Sequence, residues 1–316
     1  MNILANDGIS QSGIDALKSY GFNIITNNVA QEQLVNYINT NSIEAILVRS
    51  ATTVRKDLID SCPNLKLIGR GGVGMDNIDV EYAKNKNIHV INTPAASSAS
   101  VAELVFAHLY GGVRFLYDSN RNMPLEGESN FKVLKKNYSK GLELRGKTIG
   151  IIGLGRIGQE VAKIAIGIGM NVVACDEYHN EVNIEINFTD NKSLKFKIKT
   201  ITKVELLKKA DFITLHVPAQ KNYIIDSKEL SLMKNGSAII NAARGGVINE
   251  VSLLSALDSG KISFACLDTF ENEPKPEIKI LMNPKISLTP HIGAATNEAQ
   301  DRIGLELANQ IKDIFK

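Results

Sequence analysis

Residues 147–176, KTIGIIGLGRIGQEVAKIAIGIGMNVVACD, constrain the fold more than any other part of the chain. The run 148–152 is apolar, β-branched and flanked by glycine. It is too short for a helix and suits a strand of a parallel sheet buried on both faces. Gly153-Leu154-Gly155-Arg156-Ile157-Gly158 follows at once. In such a turn the first glycine permits the sharp reversal, the second lets backbone N–H groups approach a pyrophosphate, and the third lets a helix pack against the strand. Residues 159–168 then carry Val161, Ile164, Ala165 and Ile168 at helical spacing, and the N-terminus of that helix offers partial positive charge to phosphates. Gly169 stops the helix, 171–175 is the second strand, and Asp176 stands at its end, 18 positions after Gly158. A carboxylate there accepts hydrogen bonds from both ribose hydroxyls and repels a 2′-phosphate, so the expected ligand is NAD rather than NADP.

The chain has 316 residues, 44% of them hydrophobic, enough for two domains and a large core. Thirty-six Lys and Arg nearly balance 34 Asp and Glu, so no bulk field recruits nucleic acid or a membrane. Cys62, Cys175 and Cys266 are odd in number, far apart and set in or beside apolar stretches. With no CxxC and no nearby histidine, they predict reduced core thiols rather than a disulfide framework or a metal site. No apolar run approaches the ~18 residues of a membrane span. The N-terminus MNILANDGIS has no basic segment followed by an apolar one, which makes the cytoplasm the expected location.

Strand and helix patterns alternate along the rest of the chain. Strands are expected at 1–5, 22–26, 45–49, 66–69 and 89–92, with helices at 10–20, 31–38, 56–62 and 76–85, which predicts a parallel sheet covered on both faces. This first part lacks a GxGxxG of its own and is expected to hold the substrate. A long helix is expected over 97–117, where Ser100 and Glu103 have capping-box spacing and Val101, Leu104, Val105, Leu109 and Val113 line one side. Residues 121–141 are polar, interrupted by Pro124 and Gly127 and rich in lysine, and read as a solvated basic loop. Residues 185–201 alternate polar and apolar about a turn at 189–193, predicting an inserted β-hairpin. Alternation resumes with helices at 203–209, 227–233 and 250–259 and strands at 212–217, 238–241, 264–268 and 286–289. An amphipathic helix over 298–316 follows.

Three further segments put polar groups at the ends of expected parallel strands, where ligands sit in an open α/β sheet. They are Asn241-Ala242-Ala243-Arg244-Gly245-Gly246, Asp268-Thr269-Phe270-Glu271-Asn272-Glu273-Pro274 and Thr289-Pro290-His291-Ile292-Gly293-Ala294. Singly these read as a surface arginine, a turn carboxylate and a satisfied loop histidine. An arginine, a carboxylate and a histidine at three successive strand ends beside a nucleotide turn point instead to a catalytic site. With GLGRIG and Asp176, LHVP at 215–218, NAARGG at 241–246, LDTFENEP at 267–274 and PHIGA at 290–294, in that order, the chain resembles the D-isomer-specific 2-hydroxyacid dehydrogenase family over nearly its whole length. Within it, VRSAT at 48–52 and GRGGVGMDNID at 69–79 look most like the members that oxidise 3-phospho-D-glycerate.

The resemblance implies an α/β chain of two doubly wound, parallel-sheet (Rossmann-like) domains with the active site in the cleft between them. Residues 1–96 with 295–316 would bind substrate, and 97–294 would bind NAD. Oxidising a 2-hydroxy acid requires a base for the hydroxyl proton, a hydride acceptor and a cation for the carboxylate and developing carbonyl. By motif position His291 is the base, and the acid in reverse, and Glu273 hydrogen-bonds its imidazole. Arg244 grips the carboxylate with a planar fork of donors that lysine lacks. Cofactor contacts are implied for Gly153, Gly155, Arg156, Ile157, Gly158 and Asp176, for Val217 and Pro218 on the adenine side, and for Asp268 at the nicotinamide end. Ala242, Ala243, Gly293 and Ala294 belong to the same implied set. Val73 stands where many relatives have threonine, so a backbone contact to the cofactor is expected without the side-chain bond. Gly72, Val73 and Gly74 are expected to aim N–H groups at the substrate carboxylate. Arg49 with Ser50, Arg70 and Lys136 are expected to bind the phosphate of a small phosphorylated acid. No metal is implied. A homodimer built on the 97–117 helix and a short form without a C-terminal regulatory domain are further implications. Same-fold rivals are a hydroxypyruvate or glyoxylate reductase or a D-lactate-type enzyme. The rival of a different class is an NAD(H)-sensing corepressor-like module, against which the joint presence of Arg244, Glu273 and His291 argues.

Overall fold

Short runs of branched apolar residues between turn residues build the first sheet. In the computed structural model, which describes residues 1–316, these are β1 (Asn2–Ala5), β2 (Asn23–Ile25), β3 (Ile43–Val48), β4 (Leu67–Arg70) and β5 (His89–Asn92). All pair in parallel in the order β2-β1-β3-β4-β5, a doubly wound arrangement. The crossovers carry α1 (Gln11–Ser19), α2 (Leu34–Thr40), α3 (Lys56–Ser61) and α4 (Val80–Asn85). Successive side chains point to opposite faces. Leu4, Ile46, Val48 and Ile68 pack with Leu34, Ile38 and Leu58, while Ile3, Ala5, Ala45, Leu47 and Leu67 pack with Leu17, Ile303 and Leu307. Two expected helices begin differently. The 31–38 segment opens as a single 3-10 turn, Gln31–Gln33. The 76–85 segment becomes helical only at Val80, because Ile78 bridges Val54 and Asp79 accepts hydrogen bonds from Arg55 Nη1 and Lys56 N, both at 2.9 Å.

The next helix, α5 (Ser98–Val113), begins before the expected cap, which leaves Ser100 inside its first turn. The chain turns at Phe115, φ +55°, into α6 (Leu116–Asn137). The expected basic loop at 121–141 is therefore mostly helix. Pro124 lies inside α6 and non-helical backbone occurs only at Asn130. The chain kinks at Asn130, and the Tyr138 hydroxyl, which donates to Asp118 Oδ2 and accepts from Asn122 Nδ2, each at 2.8 Å, ties the stretch after the kink back to the stretch before it. Pro124 costs the stretch before the kink one backbone bond. Lys136 consequently stands on the last turn of a helix rather than in a loop.

The second sheet is built from β6 (Thr148–Ile152), α7 (Arg156–Gly167), β7 (Asn171–Cys175), α8 (Lys203–Lys209), β10 (Phe212–Leu215), α9 (Ser227–Leu232), β11 (Ser237–Asn241), α10 (Glu250–Asp258), β12 (Ile262–Leu267), α11 (Ile278–Leu281) and β13 (Ile286–Leu288). Between β7 and α8 the chain inserts an antiparallel hairpin, β8 (Glu181–Asn187) with β9 (Ser193–Lys199), which forms its own two-stranded sheet. Its inward side chains Val182, Ile184, Ile186, Phe196 and Ile198 join the core around Val161, Ala162 and Ala165 of α7. The six parallel strands run β13-β12-β11-β10-β6-β7. Strand order reverses between β6 and β10, the point at which open α/β sheets bind ligands.

The last helix, α12 (Asn297–Phe315), is capped by Thr296 Oγ1, which accepts from Ala299 N at 3.2 Å. It crosses α1 where two glycines meet: a Cβ on Gly13 would lie 2.8 Å from Gly304 Cα. By their contacts the residues form two units, Met1–Ser100 with Ala294–Lys316, and Val101–Gly293. The divisions fall at 100/101 and 293/294 rather than at 96/97 and 294/295. All three cysteines are free, and burial pushes the Cys62 and Cys175 thiols up to about 11. No helix is long and apolar enough to cross a membrane.

Candidate active site

The glycine turn after β6 is shaped by what cannot be a side chain. Gly153 has φ +92°, and a Cβ there would lie 2.4 Å from the His216 carbonyl oxygen of the neighbouring strand end. A Cβ on Gly158 would meet Gly153 O at 2.1 Å, so the first turn of α7 rests directly on the end of β6. Over Gly155 there is nothing within 4 Å of the Cβ position, and α7 starts at Arg156 with no side chain capping it. Open space in front of uncapped helical N–H groups fits a pyrophosphate. Arg156 is exposed at that edge and Ile157 half-buried beside it.

Asp176, at the end of β7, accepts from Leu154 N at 2.6 Å and from Tyr178 N, His179 N and His179 Nδ1 at 2.9 Å. Burial alone would raise its pKa. The Tyr178 and Leu154 N–H groups and His179 outweigh that and hold it below the usual carboxylate range. The anion next to the turn disfavours a 2′-phosphate. Beyond β10, His216 is neutral, its pKa pushed down to about 3 by burial, with Nε2 2.9 Å from Thr214 Oγ1. Val217 and Pro218 follow it, half-buried and exposed respectively.

The ends of β11, β12 and β13 carry the second group. Asn241 folds the turn after β11 on itself: its Nδ2 donates to Arg244 O at 2.8 Å and its Oδ1 accepts from Ala243 N at 3.1 Å, with Ala242 and Ala243 buried. Arg244 Nη1 donates to Ala243 O at 2.6 Å. A Cβ on Gly245 would sit 1.8 Å from Phe270 O, so this turn lies against the loop after β12 and only glycine permits it. In that loop Glu273 Oε1 accepts from Phe270 N at 2.9 Å, and Glu273 Oε2 lies 2.8 Å from His291 Nδ1. Burial pulls the Glu273 pKa upward, but the His291 bond, the Phe270 N–H and the Arg244 charge outweigh it and hold the pKa below the usual range. In the neutral imidazole an ionised Glu273 selects the tautomer with its proton on Nδ1, which makes Nε2 the acceptor. The His291 side chain is 40% exposed, so that nitrogen is within reach of a ligand.

Asp268 is 1% exposed. Its Oδ1 accepts from Thr289 Oγ1 at 2.6 Å and Ile292 N at 2.8 Å, and its Oδ2 from Gly293 N at 2.9 Å. The carboxylate expected at the nicotinamide end thus also anchors the turn that carries His291. In the other unit, Arg49 is held through its backbone: its N–H donates to Asp7 Oδ2 at 2.6 Å, and its carbonyl accepts from Asn77 Nδ2 at 2.8 Å. Asp7 also accepts from Thr52 N and Thr52 Oγ1. Arg49 Cγ would lie 3.6 Å from a Cβ on Gly71, and the Arg70 guanidinium folds over Gly72, so the two arginines flank one loop. Gly72 N donates to Arg70 O at 2.9 Å. Val73 is exposed with its carbonyl held by Asn92, Ser50 is exposed, and Ala294 O accepts from Gln300 Nε2.

Sequence reasoning missed two buried groups behind these loops. Glu250 and Glu271 exchange hydrogen bonds, each Oε1 accepting the other's backbone N–H at 2.9 Å. Glu250 is 6% exposed and burial raises its pKa, helped by the charges of Glu271, Glu277 and Glu273 against the Glu271 N–H. At the start of a predicted helix a glutamate reads as an ordinary first-turn acid. His108, also buried, lies within hydrogen-bond reach of Ser287 and Thr289. Its one signal was a polar residue in the otherwise apolar run 104–109.

Residues 106–293 match the family described as D-isomer specific 2-hydroxyacid dehydrogenase, NAD binding domain. A D-3-phosphoglycerate dehydrogenase of Methanocaldococcus jannaschii is 40% identical over 318 aligned positions, which cover 100% of this chain and 58% of that relative. The chain thus spans little more than half the length of that relative. A hydroxypyruvate reductase of Thermotoga maritima is 40% identical over 293 positions, covering 91% of this chain and 89% of the relative. Among solved structures, a glyoxylate reductase from Paecilomyes thermophila superposes with a TM-score of 0.82 at 28% identity over 99% of this chain and 94% of that one. Sequence, sheet order and site chemistry agree: the chain belongs to the D-isomer-specific 2-hydroxyacid dehydrogenase family, and the unit that carries the glycine turn is its NAD-binding domain.

Proposed function

We propose that the chain oxidises 3-phospho-D-glycerate to 3-phosphohydroxypyruvate with NAD, the entry step to serine, with the first unit binding the acid and the second the cofactor. The observation that carries the hydroxyacid chemistry is the 2.8 Å pair of Glu273 and His291, within the field of Arg244 at adjoining strand ends. Glu273 keeps the Nδ1 proton in place. His291 Nε2 takes the hydroxyl proton as the carbonyl forms and returns it in the reverse direction. Arg244 stabilises the substrate carboxylate and the oxygen on which charge develops. Bound NAD supplies the acceptor for the hydride that leaves the same carbon.

Support for a phosphorylated acid comes from Arg49 and Arg70 flanking the loop 71–74, with Lys136 a further candidate, and from the archaeal relative that aligns with the whole chain. The reading as a hydroxypyruvate reductase is favoured by the bacterial relative, equally identical and nearly matched in length. A homodimer built on the 97–117 segment belongs to the same proposal, supported by the exposed Tyr110 and Leu116 there. NADH consumption with 3-phosphohydroxypyruvate, hydroxypyruvate, glyoxylate and pyruvate separates the readings. A kcat/KM preference of about a hundredfold for the phosphorylated acid, equal to about 2.7 kcal/mol, is expected from a charged clamp. Arg49→Ala is expected to remove most of it. Equal turnover of the unphosphorylated acids moves the function to the reductase.

A further inference from the structure

His108 stands on α5, 5% exposed, and is linked by a row of hydrogen bonds to the turn that holds His291. Its Nδ1 lies 2.9 Å from Ser287 Oγ and its Nε2 2.8 Å from Thr289 Oγ1. The far end of the row fixes the position of each proton. The Asp268 carboxylate accepts from Ile292 N and Gly293 N, so the 2.6 Å bond between it and Thr289 is donated by the threonine hydroxyl. Thr289 Oγ1 is then the acceptor for His108, which puts the imidazole proton on Nε2. Nδ1, left as an acceptor, takes the Ser287 hydroxyl. One neutral tautomer satisfies every group, and burial, which lowers the His108 pKa against the pull of Asp268, keeps it neutral.

The row ends at a backbone that needs support. His291 has φ +54°, a left-handed conformation that costs a residue with a side chain about 1–2 kcal/mol and persists only where its surroundings enforce it. The enforcing contacts are His291 N to Thr289 O at 3.1 Å and the two N–H groups that follow, both held by Asp268. Asp268 is aimed by Thr289, and Thr289 by His108. We propose that His108 is a positioning residue: through Thr289 and Asp268 it holds the left-handed turn that presents His291. The catalytic meaning of this rests on the reading of His291 as the acid/base group, but the turn itself is measurable without it.

The test compares His108→Leu, His108→Gln and Thr289→Val in the full chain by amide hydrogen exchange and steady-state kinetics. Leucine removes both contacts. Glutamine offers an N–H to Thr289 and an oxygen to Ser287. Removing one buried hydrogen bond of ordinary net strength changes a local opening equilibrium by about five- to tenfold. His108→Leu and Thr289→Val are therefore expected to speed exchange of the Ile292 and Gly293 amides by that factor, while Ile213 in β10 keeps its rate. His108→Gln is expected to restore protection, and the Leu and Val changes together to add little to either alone. A similar fall in kcat with KM for NAD little changed is expected beside it. Unchanged exchange in His108→Leu, or no restoration by glutamine, overturns the proposal. Faster exchange with unchanged kcat leaves the positioning role standing and removes His291 from the reaction instead.

Discussion

Two carboxylates near the reacting end of this site are pushed in opposite directions, and each makes a prediction. Glu273 accepts from Phe270 N, is bonded to His291 and feels Arg244, which keep it ionised. Glu273→Gln retains an acceptor without the charge and is expected to lower kcat about ten- to a hundredfold, while His291→Asn lowers it by about 10²–10⁴. NADH affinity, read by fluorescence titration, is expected to change little in either, which separates loss of chemistry from loss of the site. Glu250, in contrast, is held protonated to higher pH by burial. Its raised folded pKa means that the native state binds the extra proton and the unfolded state does not, so stability falls as pH rises from the ordinary carboxylate range through the folded value. Melting temperatures of Glu250→Gln, followed upward in pH from the ordinary carboxylate range, are expected to be flatter than those of the parent.

Helix crossings and the hairpin depend on fit over several residues. At the α1–α12 crossing a Cβ on Gly304 would lie 2.2 Å from Ser10 Oγ and 3.1 Å from Gly13 Cα. Gly304→Ala is therefore expected to cost about 1–3 kcal/mol, as overpacking does. Gly167, at the end of α7 with nothing near its Cβ position, is the control: Gly167→Ala is expected to gain up to about 1 kcal/mol of helix propensity. Urea midpoints at constant slope measure both. A two-stranded ribbon is marginal by itself in water. The hairpin β8–β9 is held by one face, where Ile184 is 1% and Ile198 7% exposed against the core of α7. Its other face carries Glu181, Glu185, Lys195 and Lys197, which pair across the strands at the surface.

For the molecule as a whole, cofactor binding adds to folding stability by mass action, about 2.7 kcal/mol at a hundredfold excess over Kd. NAD is expected to raise the melting temperature more than NADP at equal concentration, because Asp176, assigned to the ribose end, is held as an anion beside the glycine turn. Equal shifts from the two cofactors would sink that assignment of Asp176. Much of this architecture was legible along the chain. Apolar runs of period two and near 3.6 mark strands and helices, and the ranges for β5, β6, β7 and α8 agree with the pattern residue for residue. The glycine turn was equally legible, because the left-handed φ of Gly153 and the contact of Gly158 with Gly153 O, five positions back, are local demands of backbone geometry. What the pattern did not carry depends on partners distant in sequence. Most of 121–141 is helical despite Pro124, with Tyr138 bonded back across the kink to Asp118. Glu250 finds Glu271 across 21 positions and His108 finds Thr289 across 181. Periodicity records which face of an element is dry, so local sequence decides strand, helix and turn. Where a buried proton sits is decided by the donors and acceptors that packing brings within 3 Å, and those are known only once the chain has folded.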